Sequence, residues 1–506
     1  MAESQGPYRI IIGLETHVQL LTESKLFCAC STSFGAEPNT QVCPVCLGMP
    51  GAMPVMNRRA FGLAVKTALA LNCEIPHFTK WDRKNYYYPD LPKGYQISQY
   101  DLPLSREGYL SIPLDEEGRE TKKIGIIRAH LEEDAGKSLH DEKAHTADSR
   151  IDLNRTGVPL LEIVSHPDMN SPEEAYNYLT ELKLLLQYIG VSDCNMQEGS
   201  LRVDANINLH IEPTAENNLK EIFVTPIVEV KNLNSFRAVR RAMEYEAHRQ
   251  YEDFLEQLES GRETDTSRLF SGSTKQTWLW DENAQITRCM RSKEESSDYR
   301  YFPEPDLVPV ILAQEEIDRI RDELPELPAD LRRRLQEEHQ LTAYDAEVLV
   351  GRGRGVTDYF FALQKSCGDA KQASNWIQQD VLRVLNEKEM EIDEFSISPE
   401  SLGELIKKIK GGEVPRPRAR DVFDAMLESG KTVAETMKDL GIEGVDTGEL
   451  EAICRQLLQE NPNVVEDVKN GKVKAVGSLI GKAKQVNPNV NPNEVRQLCL
   501  KLIETG

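Results

Sequence analysis

Residues 10–20 read IIIGLETHVQL. Side chains of a strand alternate between faces, so Glu15, His17 and Gln19 share one side while Leu14, Thr16, Val18 and Leu20 share the other. The pattern recurs along the chain. IIRAHLEEDAG, residues 126–136, groups Arg128, His130, Glu132 and Asp134. GSLRVDANINL, residues 199–209, groups Arg202, Asp204, Asn206 and Asn208 opposite an apolar row, and VEVKNLN, residues 228–234, adds Glu229 and Lys231. Strict alternation sends Glu133 to the opposite face, and only a bulge would return it.

Working outward, residues 8 to about 295 hold short alternating segments separated by Gly, Pro, Asn and Asp. They predict a large antiparallel or mixed sheet with a few helices. Helices are expected at about 57–71 and 171–189. The second is marked by Ser171 as cap, Pro172 in the first turn, Glu173 and Glu174 at the positive dipole end, and Gly190 as terminator. From about 315 the texture becomes helical and densely charged, as in EEIDRIRDEL and LRRRLQEEHQL. KGGEVPRPRAR, residues 410–420, predicts a hinge before a smaller helical unit. A chain of 506 residues exceeds one ordinary core. The expectation is an α+β protein with domains at 1–295, 296–410 and 411–506, the latter two all-helical.

One strand with a polar face is usually a solvated sheet face. Four that concentrate Glu, Asp, Asn, His and Arg, instead of Lys, Ser and Thr, point to a magnesium–nucleotide site, since Mg²⁺ takes oxygen ligands and phosphoryl transfer needs cations nearby. KWDRKNYYYPDLPKGYQISQ, residues 80–99, interleaves Arg83, Lys84 and Lys93 with Tyr86, Tyr87, Tyr88 and Tyr95. This suits phosphate clamping and base stacking, with a tyrosine-rich core corner as the alternative. DYRYFPEPDL, residues 298–307, either lines the same cavity or links domains. EDAGKS, residues 133–138, is not the end of a P-loop, because the motif needs Gly where Leu131 stands.

Cys28 and Cys30 form C-x-C, and after twelve intervening residues Cys43 and Cys46 form C-x-x-C. Two such knuckles predict a four-thiolate structural Zn²⁺ site, with buried thiols or a redox pair as the alternative. The other six cysteines are scattered and expected to be small buried hydrophobes.

The net charge of −23 excludes indiscriminate polyanion binding, so any nucleic-acid contact must be local. Lys469, Lys472, Lys474, Lys482 and Lys484 occur with no acidic residue between Asp467 and Glu494, which fits such a contact, although a solvated lysine-rich helix has the same composition. No apolar run approaches the roughly 20 residues of a membrane helix. The opening MAESQGPYR has neither a signal-peptide nor a transit-peptide pattern, so a cytoplasmic protein is expected, bacterial or else a processed chain in a plastid stroma.

GLETHVQL, DRKNYYYPDLPKGYQISQ, HLEEDAGKS, IDLNRTGVPLLEIVS, GSLRVDANINL, VKNLNSFRAVRRAMEYE, DYRYFPEPDLVP, SNWIQQDVLRVLN and GKVKAVGSLIGKAKQ follow one another along nearly the whole chain. In this order they resemble the B subunits of the glutamyl/aspartyl-tRNA amidotransferases. The resemblance implies a cradle domain with a glutamine-synthetase-like sheet, a helical domain, and a helical tail gripping the outer corner of tRNA through residues such as Lys472, Lys474, Lys482 and Lys484. It implies a ligase that activates the side-chain carboxylate of misacylated Glu-tRNA(Gln) or Asp-tRNA(Asn) with ATP and Mg²⁺ and amidates it. Metal ligands would fall on Glu15, His17, Glu132 and Glu133, in accord with the strand faces except at Glu133. Lys84, Arg202, Asp204 and Lys231 would form the catalytic group, and Arg83, Tyr86 and Tyr88 would hold the nucleotide. The cysteine cluster resembles a zinc site that some members have. No Ser-rich amidase signature is visible, so ammonia would come from a separate amidase, the A subunit of a heterotrimer, with the small C subunit and the non-discriminating aminoacyl-tRNA synthetase as further partners. Two other classes compete: a free-standing ATP-dependent ligase of a small amino acid, and a non-catalytic tRNA-binding scaffold.

Overall fold

The computed structural model describes residues 7–115, 118–140, 149–214, 217, 219, 221–259, 275–291, 298–442, 447–469, 472–487, 490 and 492–505. Gly471 of the tail motif and the expected domain edge at 295 lie outside them. The chain divides into two compact units, Met1–Leu331 and Arg332–Gly506.

Among the described residues the first unit holds sixteen strands: β1 (Tyr8–Gln19), β2 (Phe78–Thr79), β3 (Asp82–Asn85), β4 (Tyr95–Ser98), β5 (Ser105–Pro113), β6 (Thr121–Glu133), β7 (Lys137–His140), β8 (Ser149–Asp152), β9 (Pro159–Ser165), β10 (Leu201–Ile211), β11 (Phe223–Val224), β12 (Val228–Lys231), β13 (Gln276–Asp281), β14 (Ile286–Arg291), β15 (Phe302–Pro303) and β16 (Val310–Ile311). The main sheet runs β14-β13-β12-β10-β1-β9-β6-β5, with β11 also on β10. It is mixed: β12 and β13 are parallel, and the other pairs are antiparallel. Register places Glu15 opposite Asp204, and His17 opposite Arg202 on one side and Glu162 on the other. His130 also faces Glu162.

Ile12, Leu14 and Val18 are essentially fully buried. A one-residue slip would expose them, at about 2 kcal/mol each, and drive Glu15 and His17 into the core, which is why this register holds. Helices α1 (Arg58–Ala70), α2 (Pro172–Tyr188) and α3 (Phe236–Glu259) pack on the sheet. Ser171 Oγ caps α2 by accepting from Glu174 N at 3.1 Å, and Gly190 follows at φ 66°. Helix α3, 24 residues long, is not among the expected helices. Its buried row Ala238, Val239, Ala242, Met243, Glu246, Ala247, Gln250 and Phe254 has helical spacing, but Glu246 and Gln250 interrupt the apolar stripe that announces a helix. Helix α4 (Gln314–Asp322) adds Ile317 and Ile320 to the same core, so the first unit runs past residue 295.

The three-stranded sheet β15-β3-β4 packs against β6 through β4. DYRYFPEPDL thereby becomes a neighbour of the 80–99 segment, with Phe302 opposite Arg83.

The second unit is helical. The expected break at 410–420 is a turn between helix Pro399–Lys410 and helix Ala419–Ser429, with a short 3₁₀ turn at Arg416–Arg418. The final helices share a core of Leu450, Cys454, Leu457, Leu479, Ala483, Val495 and Cys499. Among the described residues no helix is long and apolar enough to cross a membrane.

Candidate functional site

Antiparallel partners point to the same side of a sheet, so β1, β9 and β6 place His17, Glu162, His130 and Glu132 on one patch of one sheet face. His17 Nε2 lies 3.4 Å from Glu162 Oε2 and 3.9 Å from Glu132 Oε1. His130 Nε2 is 3.7 Å from each carboxylate. One donor atom each from His17, Glu132 and Glu162 falls within a 4.8 Å cluster. Ser98 Oγ donates to Glu132 Oε2 at 3.2 Å. Both carboxylates are more than nine-tenths buried.

Burial opposes ionisation of Glu162, but His130, His17 and Lys84 outweigh it and hold the carboxyl below its usual range. Glu132 is likewise lowered: burial and Glu162 act against it, while His130 and Lys84 prevail. Burial opposes the Lys84 ammonium too, and Glu132 and Glu162 raise its pKa regardless. Lys84 Nζ sits 4.9 Å from the centre of the Tyr299 ring and 5.8 Å from that of Tyr86, and the two rings meet edge to face at 5.9 Å. Among the described residues Lys84 makes no ion pair within 4 Å. It is a largely desolvated cation whose charge is offset by the Glu132 and Glu162 carboxylates.

The other expected residues fall into separate groups. Arg202 Nη2 donates to Asp134 at 2.8 Å, and Gln19 donates to the same carboxylate at 2.7 Å. Lys231 Nζ bonds Asp204 at 2.8 Å and lies 3.6 Å from Glu229. Glu15 accepts from Asn206 Nδ2 at 3.1 Å, with Lys275 at 4.0 Å, so it flanks the His17 cluster from the β10 side. Glu133 lies on the other face. It pairs with Lys93 and accepts from Ile97 N at 3.0 Å, and no bulge brings it round to Glu132. Arg83 forms a two-bond fork with Glu304, at 2.7 and 2.8 Å, and stacks 4.2 Å over Tyr95. Tyr88 touches Tyr86 edge to face and is largely exposed.

Glu162 is the member of the cluster that the strand-face pattern misses. Its only signal is a lone carboxylate among the apolar residues of PLLEIVS, a strand whose neighbours on both sides present histidines to it.

The donor chemistry fits a divalent ion. Two buried carboxylates and an imidazole converge with one donor atom each, a set of oxygen and nitrogen ligands that suits a divalent ion. The sulfurs of Cys28, Cys30, Cys43 and Cys46 also lie within 4.8 Å of one another. Zn–S bonds of about 2.3 Å set tetrahedral S···S edges near 3.8 Å, and Cys43 and Cys46 are 3.9 Å apart. The buried Lys25 ammonium, 3.7 Å from Cys46 Sγ, and the Cys43 N–H, at 3.1 Å, both favour thiolate there.

In the tail, Lys472, Lys474, Lys482 and Lys484 are all exposed. Lys472 pairs with Asp467 at 3.1 Å and Lys482 donates to Asn461 at 2.6 Å.

The chain matches the family model described as the GatB/GatE catalytic domain over residues 10–318, and one described as the GatB domain over residues 358–503. It is 56% identical over 503 residues to the B subunit of the aspartyl/glutamyl-tRNA(Asn/Gln) amidotransferase of Rhodopirellula baltica, covering 99% of this chain and 98% of that protein. Subunits of the same name are 48% identical in Carboxydothermus hydrogenoformans (97% and 98% covered) and 45% identical in Thermodesulfovibrio yellowstonii (98% and 99% covered).

Proposed function

The chain belongs to the GatB/GatE family, and from that premise we propose that it activates the side-chain carboxylate of Glu-tRNA(Gln) or Asp-tRNA(Asn) with ATP and converts it to the amide. The observation that carries this reading is the buried set His17, Glu132 and Glu162 facing Lys84. A carboxylate does not react with ammonia at neutral pH, because oxide would have to leave. Phosphorylation supplies a leaving group, and a divalent ion held by His17, Glu132 and Glu162 would offset the charge of the ATP phosphates.

In this reading His17, Glu132 and Glu162 hold the metal. Lys84, free of a fixed carboxylate partner among the described residues, faces the transferring phosphoryl group and the incoming substrate carboxylate. Lys231 and Arg202, each tied to an aspartate, set the field on either side. Tyr86 and Tyr299 keep water from Lys84 and raise the strength of its interactions. The activated acyl group hydrolyses readily, so ammonia must reach it by a protected path. Glutamine hydrolysis on a partner amidase, the A subunit, in a complex stabilised by the small C subunit, supplies that ammonia. Zinc on the four cysteines staples the loop between β1 and α1, and residues 411–506 grip tRNA by their exposed lysines. The reaction is placed in the cytoplasm, beside the non-discriminating synthetase that makes the substrate.

The test is reconstitution. The chain with its partners should amidate Glu-tRNA(Gln) or Asp-tRNA(Asn) with ATP and glutamine, and the chain alone should retain some turnover with ammonium. Amidation that survives Glu132→Ala would refute the reading.

A further inference from the structure

Arg128 stands on β6 beside the metal set, and the chemistry above gives it no task. From Ile126 to Arg128 strand β6 advances two residues while β9 advances one, from Ser165 to Val164. Such a bulge bends a strand and re-aims the side chains beside it. The register then sets Glu15, Val164 and Arg128 in one row across β1, β9 and β6, with His17, Glu162 and His130 in the next. The Arg128 side chain is 36% exposed, and its Nη2 lies 3.9 Å from Glu162 Oε1, too far for a hydrogen bond. Its Nε is buried and has no hydrogen-bond partner among the described residues. A guanidinium offers Nε–H and Nη–H as a planar fork that matches the two oxygens of one carboxylate. In Arg83 that fork is closed on Glu304, at 2.7 and 2.8 Å, whereas in Arg128 it is open. An unmatched buried donor is costly, and a ligand carboxylate seated on this edge would satisfy it.

We propose that Arg128 binds, through its Nε–Nη edge, the side-chain carboxylate of the aminoacyl group that is to be activated. The proposal rests on the ATP-dependent reading above. Charge decides the side of the site on which that carboxylate enters. Toward β10, the carboxylates of Glu15, Asp204 and Glu229 face Lys231 and Lys275. ATP arrives with a divalent cation and tolerates such a wall, whereas an amino-acid carboxylate arrives unescorted and needs a fixed cation. Toward β6 the cations are Arg128 and Lys84, the latter carried by β3, whose partner β4 packs on β6. The Tyr301 phenol, raised in pKa by burial, senses Lys84, Glu132, Glu162 and Arg128 together, so these groups share one space. Phosphoryl transfer runs in line, with acceptor and leaving group on opposite sides of phosphorus. Nucleotide toward β10 therefore leaves the β6 side to the acceptor. A planar fork also fixes the plane of the carboxylate, which a lysine does not.

The test is the preference of the assembled enzyme for a misacylated tRNA over its own amidated product, Glu-tRNA(Gln) against Gln-tRNA(Gln) or Asp-tRNA(Asn) against Asn-tRNA(Asn). The members of each pair differ only in carboxylate against amide. Equilibrium binding is measured with Mg²⁺ and without ATP for the unaltered enzyme, Arg128→Gln and Arg128→Lys. The unaltered enzyme should bind the misacylated form more tightly. Arg128→Gln should cut that preference about tenfold or more, while affinity for the amidated tRNA and for MgATP holds steady. Arg128→Lys keeps the charge without the fork, so it should recover only part of the preference, and it serves alone if the Gln variant does not fold. A full preference in a folded variant, or an unaltered enzyme that does not discriminate, overturns the assignment. So does a fall in MgATP affinity with the preference intact, which would give Arg128 to the nucleotide. Failure of the unaltered assembly to show ATP-dependent amidation would overturn the functional reading itself, a distinct result.

Discussion

His17 of β1 and Glu162 of β9 are register partners whose side chains meet at 3.4 Å, at the centre of the buried carboxylate patch. Against burial, His130, His17 and Lys84 favour the charged form of Glu162, and one of its oxygens lies within 4.8 Å of donor atoms of His17 and Glu132. Glu162→Gln should lower amidation by on the order of a hundredfold or more, with an increased Mg²⁺ requirement and unchanged tRNA binding. Metal titration of the steady-state rate checks this. An unaltered Mg²⁺ dependence would remove Glu162 from the metal site.

Glu133 provides the contrast. It is adjacent in sequence to Glu132, yet its carboxylate forms a buried ion pair with Lys93 on the other face, both side chains being 5% exposed. Removing one member of such a pair leaves an unmatched buried charge and costs about 3–5 kcal/mol. Glu133→Ala should therefore lower the thermal midpoint markedly, and Lys93→Met should recover part of that loss in the double variant. A Glu133→Ala protein of normal stability but absent activity would return Glu133 to the metal site.

These two glutamates show what is legible in the sequence. Period-two alternation reveals the polar faces of β1, β6, β10 and β12, and with them Glu15, His17, Glu132, Arg202 and Asp204, because alternation is a local property of strands. Which strands become neighbours is not local. The pairing of β9 between β1 and β6 is what brings Glu162 to His17 and His130. Pairing of β3 with β15 decides that Arg83 meets Glu304 and that Tyr299 meets Lys84. Caps such as Ser171 are readable for the same local reason, whereas α3 is obscured by Glu246 and Gln250, whose partners Thr287, Arg249 and Thr225 exist only in the folded sheet and helix.

Zinc should be retained at one equivalent per chain. Cys43→Ser, or prolonged chelation, should open the loop between β1 and α1 and lower the midpoint, with Zn²⁺ but not Mg²⁺ restoring it. Metal content measured beside thermal unfolding decides the matter, and a chain with no zinc and unchanged stability would assign the cysteines to packing.

In the helical unit, Asp345 is the third residue of a helix capped by Thr342 and accepts from Lys371 Nζ at 2.6 Å, Thr342 Oγ1 at 2.7 Å and Gln378 Nε2 at 2.9 Å. Burial would raise its carboxyl, but Lys371, Thr342 and Gln378 pull it down to about 2 from 3.8. A depressed carboxyl stabilises the fold above its unfolded pKa and loses that contribution as pH falls through the folded value. The stabilisation, about 2 kcal/mol, should be complete above about pH 5, decline through the folded value near 2, and be gone near pH 1. Asp345→Asn should thus be less stable than the parent at neutral pH and converge with it in acid, as followed by calorimetry of both proteins across that range.

The tail lysines supply a local cationic surface on a chain whose net charge is −23. Each phosphate neutralised by lysine adds about 0.7–0.9 to the slope of log affinity against log salt. Lys472 already pairs with Asp467 and Lys482 with Asn461, so Lys474 and Lys484 have the least to give up on meeting phosphate. Replacing Lys474 and Lys484 by Gln should flatten the slope for uncharged tRNA by about 1.5 and raise KM for misacylated tRNA, while kcat at saturation and the KM for ATP hold steady. The sign follows from counterion release, since fewer neutralised phosphates release fewer cations and leave binding less sensitive to salt. A slope identical to the parent's would show that tRNA is held elsewhere on the chain and that these lysines serve only solvation.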